Sequence, residues 1–385
     1  MNSSITGNGT SHIYYNITLT NNDMSDNLTA PIVSFTETRN QPYLNCPEDY
    51  YMSVVRFSLE TPTLPVFQPQ PVLGSADPDI LIYQVYMTVD GETSSSASVT
   101  YTPVDTFVPA PPVPIGPNEI YNPYYNIYSH NQFIQMVNVA LTDCFNNLFS
   151  SSILPTTKRP YLYWDIGSNT AVLNIAELIM TTYPSFKLWF NTPLYTLFSS
   201  FPATYTSFQR TTLTGVTTQQ AYNIFIDTGV TANVTSELVG STSVLTYNIL
   251  QEYTTAPLWT PIDSIVFTTS MVPVVPELTA APIVYNASGA FESIGSNANT
   301  TTVLTDFIVP LTTGNEYKPS INYTPNGEYR LATLFGKSAV NSIQINCFYK
   351  NRFGILIPLT LGAGCSASIK LLFRRRDFSN IVLEN

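Results

Sequence analysis

The clearest hydrophobic pattern lies near the end of the chain, between Asn341 and Arg376. Ile343, Ile345, Cys347 and Tyr349 alternate with Gln344, Asn346, Phe348 and Lys350, the period of two expected of a half-buried strand. Lys350-Asn351-Arg352 reads as a hairpin turn. Gly354 to Leu361 is a mostly apolar run that contains Pro358, which suits an edge or bulged strand. Gly362-Ala363-Gly364 turns the chain again, and Ser366 to Phe373 alternates with Ala367, Ile369 and Leu371 on one side. The block reads as a sheet closed by a basic clamp, Arg374, Arg375 and Arg376.

The same period recurs from the beginning. His12 to Thr20, Ile32 to Phe35, Tyr50 to Leu59 and Ile80 to Val89 each predict a strand, and Ala97 to Thr102 the return partner of the last. Pro103 to Pro123 holds seven prolines and no basic residue, so it reads as an extended surface crossing. A helical period follows. Phe133, Val137, Ala140, Leu141, Cys144, Phe145 and Leu148 form one stripe, with Gln135, Asn138, Thr142 and Asn146 opposite. Ser129 and Gln132 have the spacing of a capping box at its start. A hairpin is expected for Tyr161–Asp165 and Ala171–Ile175, a strand for Ser185–Phe190, and a second helix from Thr192-Pro193 to Phe201. Beyond Thr211 short strands recur at 222–227, 244–252, 264–269, 302–309 and 328–334, with Asn326-Gly327 as a two-residue hairpin signal.

Short strands broken by Gly, Pro and Asn predict an all-β sandwich with two short helices. Residues 1–110 and 261–385 are expected to form a jelly-roll core around an inserted lobe, 111–260. The alternative is two jelly rolls, 1–210 and 211–385. Residues 1–11 read as a loose arm.

Composition changes the picture chiefly through charge. Only 11% of the 385 residues are ionic, against about 25% in ordinary soluble proteins. Hydroxyl and amide side chains lose little when a neighbour covers them, whereas burying Lys or Glu costs several kcal/mol. Such an exterior suits a chain that other subunits surround. The net charge of −11 disfavours general nucleic-acid binding, yet Lys318 onward carries nine basic residues against three acidic. Cys46, Cys144, Cys347 and Cys365 lie far apart without a C-x-x-C pair, so buried free thiols are expected. No signal peptide is visible at the N-terminus, and no apolar run reaches the roughly 18 residues of a membrane span.

Catalytic chemistry has little to draw on. His12 and His130 are the two histidines, and neither has a ligand or catalytic partner at a recognised spacing. Asp77-Pro78-Asp79 reads as a loop turn rather than a calcium site, and Glu48-Asp49 as a turn before a strand. No phosphate loop or nucleophile elbow occurs. No enzyme, cofactor or metal is expected. Arg374, Arg375 and Arg376 remain as candidates for intersubunit or nucleic-acid contact, although strand alternation stops all three pointing one way. The 25 tyrosines, clustered at Tyr14-Tyr15, Tyr50-Tyr51, Tyr121, Tyr124-Tyr125 and Tyr128, suit protein interfaces.

Four scattered segments carry a resemblance. They are Tyr50 to Ser58, Tyr124 to Tyr128 before the helix, Phe190 to Phe198, and Ala367 to Arg375. On these the chain resembles the jelly-roll capsid proteins of double-stranded DNA viruses, and in particular the minor capsid (penton) proteins of virophages and polinton-like viruses. The resemblance implies a jelly-roll core, self-association (a pentamer rather than a trimer), neighbouring capsid proteins, and placement in an icosahedral virion assembled in the host cell. It carries no active-site residues. The alternatives are a double jelly-roll major capsid protein and, in another class, a host-attachment or carbohydrate-binding β module.

Overall fold

The computed structural model describes residues 12–22, 31–60, 64–90, 93–104, 109–113, 122–149, 158–212, 215–228, 234–239, 242–275, 277–278, 283–285, 291–293, 300–308, 320–324, 330–352 and 354–376. The arm at 1–11 and the Asn326-Gly327 turn lie outside them. The chain forms two compact units. The described residues up to Leu64 and from Ile262 onward make one, and Pro65–Pro261 make the other.

Three strands precede the insertion: β1 (His12–Thr20), β2 (Ser34–Thr38) and β3 (Tyr50–Glu60). The inserted unit holds β4 (Ile80–Val89), β5 (Thr93–Thr100), α1 (His130–Leu148), β6 (Tyr161–Asp165), β7 (Thr170–Ala176), α2 (Glu177–Thr182), β8 (Lys187–Phe190) and α3 (Thr192–Leu197). It continues with β9 (Ala203–Thr212), β10 (Gly215–Ile224), β11 (Val234–Val239) and β12 (Thr242–Leu250). After it come β13 (Ile262–Thr269) and four minimal strands, β14 (Glu277–Leu278), β15 (Ile283–Tyr285), β16 (Phe291–Ser293) and β17 (Thr300–Thr301). The chain then forms β18 (Val303–Ile308), β19 (Ser320–Tyr323), β20 (Ala332–Thr333), β21 (Ser342–Asn351), β22 (Leu356–Pro358) and β23 (Ser366–Arg375).

The first unit is a jelly roll, and its pairing shows why. Its eight principal strands in chain order are β1, β2, β3, β13, β18, β19, β21 and β23. The outermost two pair (β1 with β23), then the next (β2 with β21), then β3 with β19, and finally β13 with β18, all antiparallel. This is one long double ribbon, nested inward to its tip. Rolling the ribbon adds β23 to β3 and β13 to β21. The result is two sheets, ordered β1-β23-β3-β19 and β18-β13-β21-β2. The insertion enters between the third and fourth strands, where no pairing has to be broken.

Strand alternation fills the space between these sheets. Ile343, Ile345, Cys347 and Tyr349 of β21, and Ala367, Ile369, Leu371 and Phe373 of β23, are buried in one cluster. Phe57 sits at its centre, edge-on to Phe267 with ring centroids 4.9 Å apart. The C-terminal block therefore departs from a single sheet. β21 and its partner β22 lie in one sheet, while β23 crosses to the other.

The inserted unit has sheets ordered β5-β4-β8-β10-β9 and β11-β12-β7-β6. Neighbouring hairpins dominate this order, and the nested pairing of a jelly roll is not repeated. Helix α1 joins both inserted sheets through one apolar cluster that includes Val85, Leu188, Leu173 and Ile249. Its buried stripe also takes in Ile134 and Met136, wider than a single-faced helix would need. Asn138 is half-buried rather than fully turned to water. Its side chain donates to Leu162 O (2.8 Å) and accepts from Leu162 N (2.7 Å), fastening α1 to β6.

Other expectations are corrected in detail. Ser129 is the N-cap of α1, but its side chain makes no capping bond, and Gln132 Nε2 donates instead to Thr102 O at 3.4 Å. A third helix, α2, follows β7 directly. In α3 the capping residue is Asn191, whose Oδ1 accepts from Leu194 N at 3.2 Å. The strand expected at 222–227 is the end of β10, and its partner β9 was not foreseen. No helix among the described residues is long and apolar enough to cross a membrane.

Candidate assembly surface

The arginine triplet lies where β23 leaves the jelly-roll core. Phe373 is the last buried residue, and Arg374 and Arg375 are exposed. Arg376 is held. Its amide donates to Asp49 O (2.7 Å), its Nη2 donates to Leu334 O (2.8 Å), and its guanidinium lies 4.7 Å from the Tyr51 ring centroid. The three do not form one clamp. Arg376 locks the strand end, and two cations remain available.

Strand register extends the set of outward cations. Lys370 of β23 lies directly opposite Arg56 of β3, and Arg374 follows four residues along the same strand. Asn16 Oδ1 accepts a hydrogen bond from Arg56 Nη2 at 3.1 Å, and Lys370 Nζ sits 4.8 Å from the Tyr14 ring centroid. The remaining polar groups nearby are hydroxyls, such as the Ser58–Ser368 pair at 2.7 Å. Glu60 is the one acidic residue in the four strands of this sheet, and it accepts from Ser366 N at the sheet's far end. The opposite sheet behaves differently. There Asp306 pairs with Arg330, Asp263 with Lys350, and Glu37 with Arg39. Among the described residues, no ion pair involves Arg56, Lys370, Arg374 or Arg375. Sequence reading missed Arg56 and Lys370 because nothing local reveals that they face one another.

The tyrosines divide between interior and surface. Tyr15 donates to Glu37, and the Arg39 guanidinium lies 4.8 and 4.9 Å from the Tyr15 and Tyr43 rings, closing the side of the jelly roll between β1 and β2. Tyr125 is buried, and Tyr124 donates to Asp79 Oδ1 at 3.0 Å. Burial, reinforced by Asp79, pushes the Tyr124 and Tyr125 hydroxyls up to about 12. These two serve the interior of their own unit rather than an interface. Tyr14 and Tyr128 are exposed, and Tyr121 lies outside the described residues.

The other candidates take structural places. His130 stacks on Trp164 (centroids 4.4 Å apart, planes 4° from parallel) and is buried, while His12 is exposed on β1. Asp77 Oδ1 accepts from Asp79 N at 2.9 Å, the bond of a local turn. Pro47–Asp49 is a short 3-10 turn leading into β3. Cys144 and Cys347 are buried and free, but Cys46 is exposed and Cys365 half-buried, so the expectation of four buried thiols fails for two. Burial pushes the Cys144 thiol up to about 12. A groove of about 500 Å³ is lined by Met271, Pro273 and residues 338–342 of the jelly-roll unit. Among the described residues no cluster of His, Cys, Asp and Glu could hold a metal.

Known proteins complete this description. The family model for Sputnik minor capsid protein V18/19 matches residues 13–375. The uncharacterized protein V18 of Sputnik virophage is 35% identical over 122 residues, 30% of this chain and 71% of V18. A chain of the Sputnik virophage, solved by cryo-EM at 3.5 Å, superimposes with a TM-score of 0.77 at 23% identity, covering 96% of this chain and 99% of that one. The mavirus penton protein, a crystal structure, gives 0.65 at 17% identity over 95% of this chain and all of that one, 100%. At these identities the two solved structures attest the fold. The family match reaches from β1 to the end of β23, and the family is one of viral structural proteins rather than enzymes. The chain belongs to the Sputnik minor capsid protein V18/19 family and is a structural component of the virion shell.

Proposed function

We propose that the protein is the penton of its shell: five copies joined around an axis, bordered by other capsid proteins and assembled inside the host cell. The observation that carries this reading is the likeness to the mavirus penton protein, which takes in 95% of the chain and so includes the inserted unit as well as the jelly roll. The sparse charge of the exterior supports it, since only 11% of residues must be desolvated as ions when copies meet. In this reading the jelly roll builds the shell and the insertion is a separate lobe. Arg374 and Arg375 make the contact, with a neighbour's carboxylates or with the genome, and Arg376 fixes the strand from which they project.

The test is the mass and shape of the recombinant full chain. Mass photometry should show a particle of about 213 kDa, five times 42.6 kDa, and negative-stain images a five-fold ring. A stable monomer at high concentration, or a three-fold particle, would overturn the proposal.

A further inference from the structure

We infer that the outer face of the jelly-roll sheet β1-β23-β3-β19 is a docking surface for the phosphodiester backbone of double-stranded DNA, gripped by Arg56, Lys370 and Arg374. The inference rests on the proposed contact role of the arginine end and names its partner.

Three observations support it. First, these three cations have no ion pair among the described residues, whereas carboxylates of the opposite sheet and its flank pair with Arg330, Lys350 and Arg39. In a chain with 15 basic residues and a net charge of −11, placing three of them together without an ion pair among the described residues concentrates positive potential on one face. Second, two of the cations are held in place before any partner arrives, Arg56 by Asn16 Oδ1 and Lys370 over the Tyr14 ring. Third, Asn16 and the Ser58–Ser368 pair flank the Arg56–Lys370 pair on this face, and the buried Leu372 lies between Lys370 and Arg374. Protein–protein interface centres are apolar and depleted of Lys, while protein–DNA surfaces are polar and positive with hydroxyl and amide donors to phosphate. Lys370 and Arg374 are four residues apart on one strand, about 13 Å at roughly 3.3 Å per residue. That span covers about four phosphates of one DNA strand at about 3.4 Å each. The contacts are to backbone only, so no base sequence is selected.

The experiment is a fluorescence-anisotropy titration of the full-length protein with a fluorescein-labelled 20-base-pair DNA duplex at several salt concentrations. Three phosphate contacts give a slope of log K against log salt of about −2.7, hence a roughly 40-fold loss of affinity between 50 and 200 mM. Arg56→Gln, Lys370→Gln and Arg374→Gln should each make the slope shallower by about 0.9. Thermal melts check the fold of each variant. Should Lys370→Gln unfold, Lys370→Met keeps the stem over Tyr14, and the exposed Arg374→Gln carries the test. No binding at 50 mM, or a slope unmoved by the variants, overturns the inference. So does a set of variants that disperses the particle in mass photometry while DNA binding stays intact, because the face would then be a protein interface. Particle mass reports on the penton proposal separately, so either reading can fail alone.

Discussion

Replacing Trp259 tests how the inserted unit is held together. The indole is 1% exposed and lies within 5.5 Å, centroid to centroid, of Phe67 (5.4 Å), Phe133 (5.4 Å), His130 (4.8 Å), Trp164 (5.4 Å) and Phe198 (5.3 Å). Its Nε1 donates to Leu197 O at 2.9 Å. That carbonyl also accepts from Thr255 Oγ1 at 2.6 Å, so it keeps a partner when the indole is gone. The penalty of Trp259→Ala is therefore mainly packing and cavity, about 3–5 kcal/mol. For a unit of this size a kcal/mol moves the melting temperature by about 2–4 °C, so a fall of about 8–16 °C is expected for a loss near the middle of that range. Trp259→Phe keeps a ring in the cluster and loses the hydrogen bond, about 1 kcal/mol, together with part of the packing. Its shift should be less than half as large. The assay follows from the sequence. Trp164, Trp189 and Trp259 all lie in Pro65–Pro261, so tryptophan fluorescence reports this unit alone, while far-UV circular dichroism reports both. The expected result is a fluorescence transition displaced to lower temperature with Trp164 and Trp189 still reporting. Equal shifts for Ala and Phe, or a shift below 2 °C for Ala, would refute the view that this ring organises the cluster.

Two further outcomes follow from the same structure. Asn169 holds φ 55° in the turn between β6 and β7, and its Oδ1 accepts from the buried Trp164 Nε1 at 3.2 Å. Asn169→Ala should cost about 2–4 kcal/mol, from left-handed backbone strain and an unsatisfied indole N–H, whereas Asn169→Gly should lose only the second part; identical fluorescence melts for the two would contradict this. With Ellman's reagent, native protein should show one fast thiol, the exposed Cys46, a slower half-buried Cys365, and no reaction at Cys144 and Cys347 until denaturant is added; rapid labelling of either buried thiol would show that its cluster opens.

What the sequence made legible was the faces of strands, not their partners. β1 and β21 carry apolar residues on alternate positions because one side of each meets a core, and that imprint is local, while β3, β4 and β23 add stretches buried on both sides at 52–55, 85–89 and 371–373. β9 left no such imprint. Along residues 203–210 Phe208 alone is buried among the described side chains, and Thr, Ser, Gln and Arg occupy most of the strand, so the hairpin with β10 reads as a polar loop. Helix α2 is six residues without a capping side chain, too short for its period to stand out from β7 before it. The separation of β21 from β23 into opposite sheets is a property of the rolled ribbon. No alternation pattern distinguishes two strands of one sheet from two strands that face each other across a core.

The same limit governs the surface. Arg374, Arg375 and Arg376 stood out as a run, yet the run mixes two cations without an ion pair among the described residues with one that is bound to Leu334 O and stacked on Tyr51. Arg56 and Lys370 drew no notice because they lie on opposite sides of the 65–261 insertion in sequence, and only the β3–β23 register makes them neighbours. Their adjacency has an energetic consequence. Two like charges directly opposite on a sheet destabilise the pair, and here Lys370 leans on Tyr14 while Arg56 bonds Asn16, each drawing its charge to β1. A chain that needed those cations only to keep a sheet edge soluble could have placed them apart, or matched them as the opposite sheet does. Keeping them together and unneutralised lowers the stability of the isolated subunit. On the inference drawn above, an anion bound at this face would offset that repulsion.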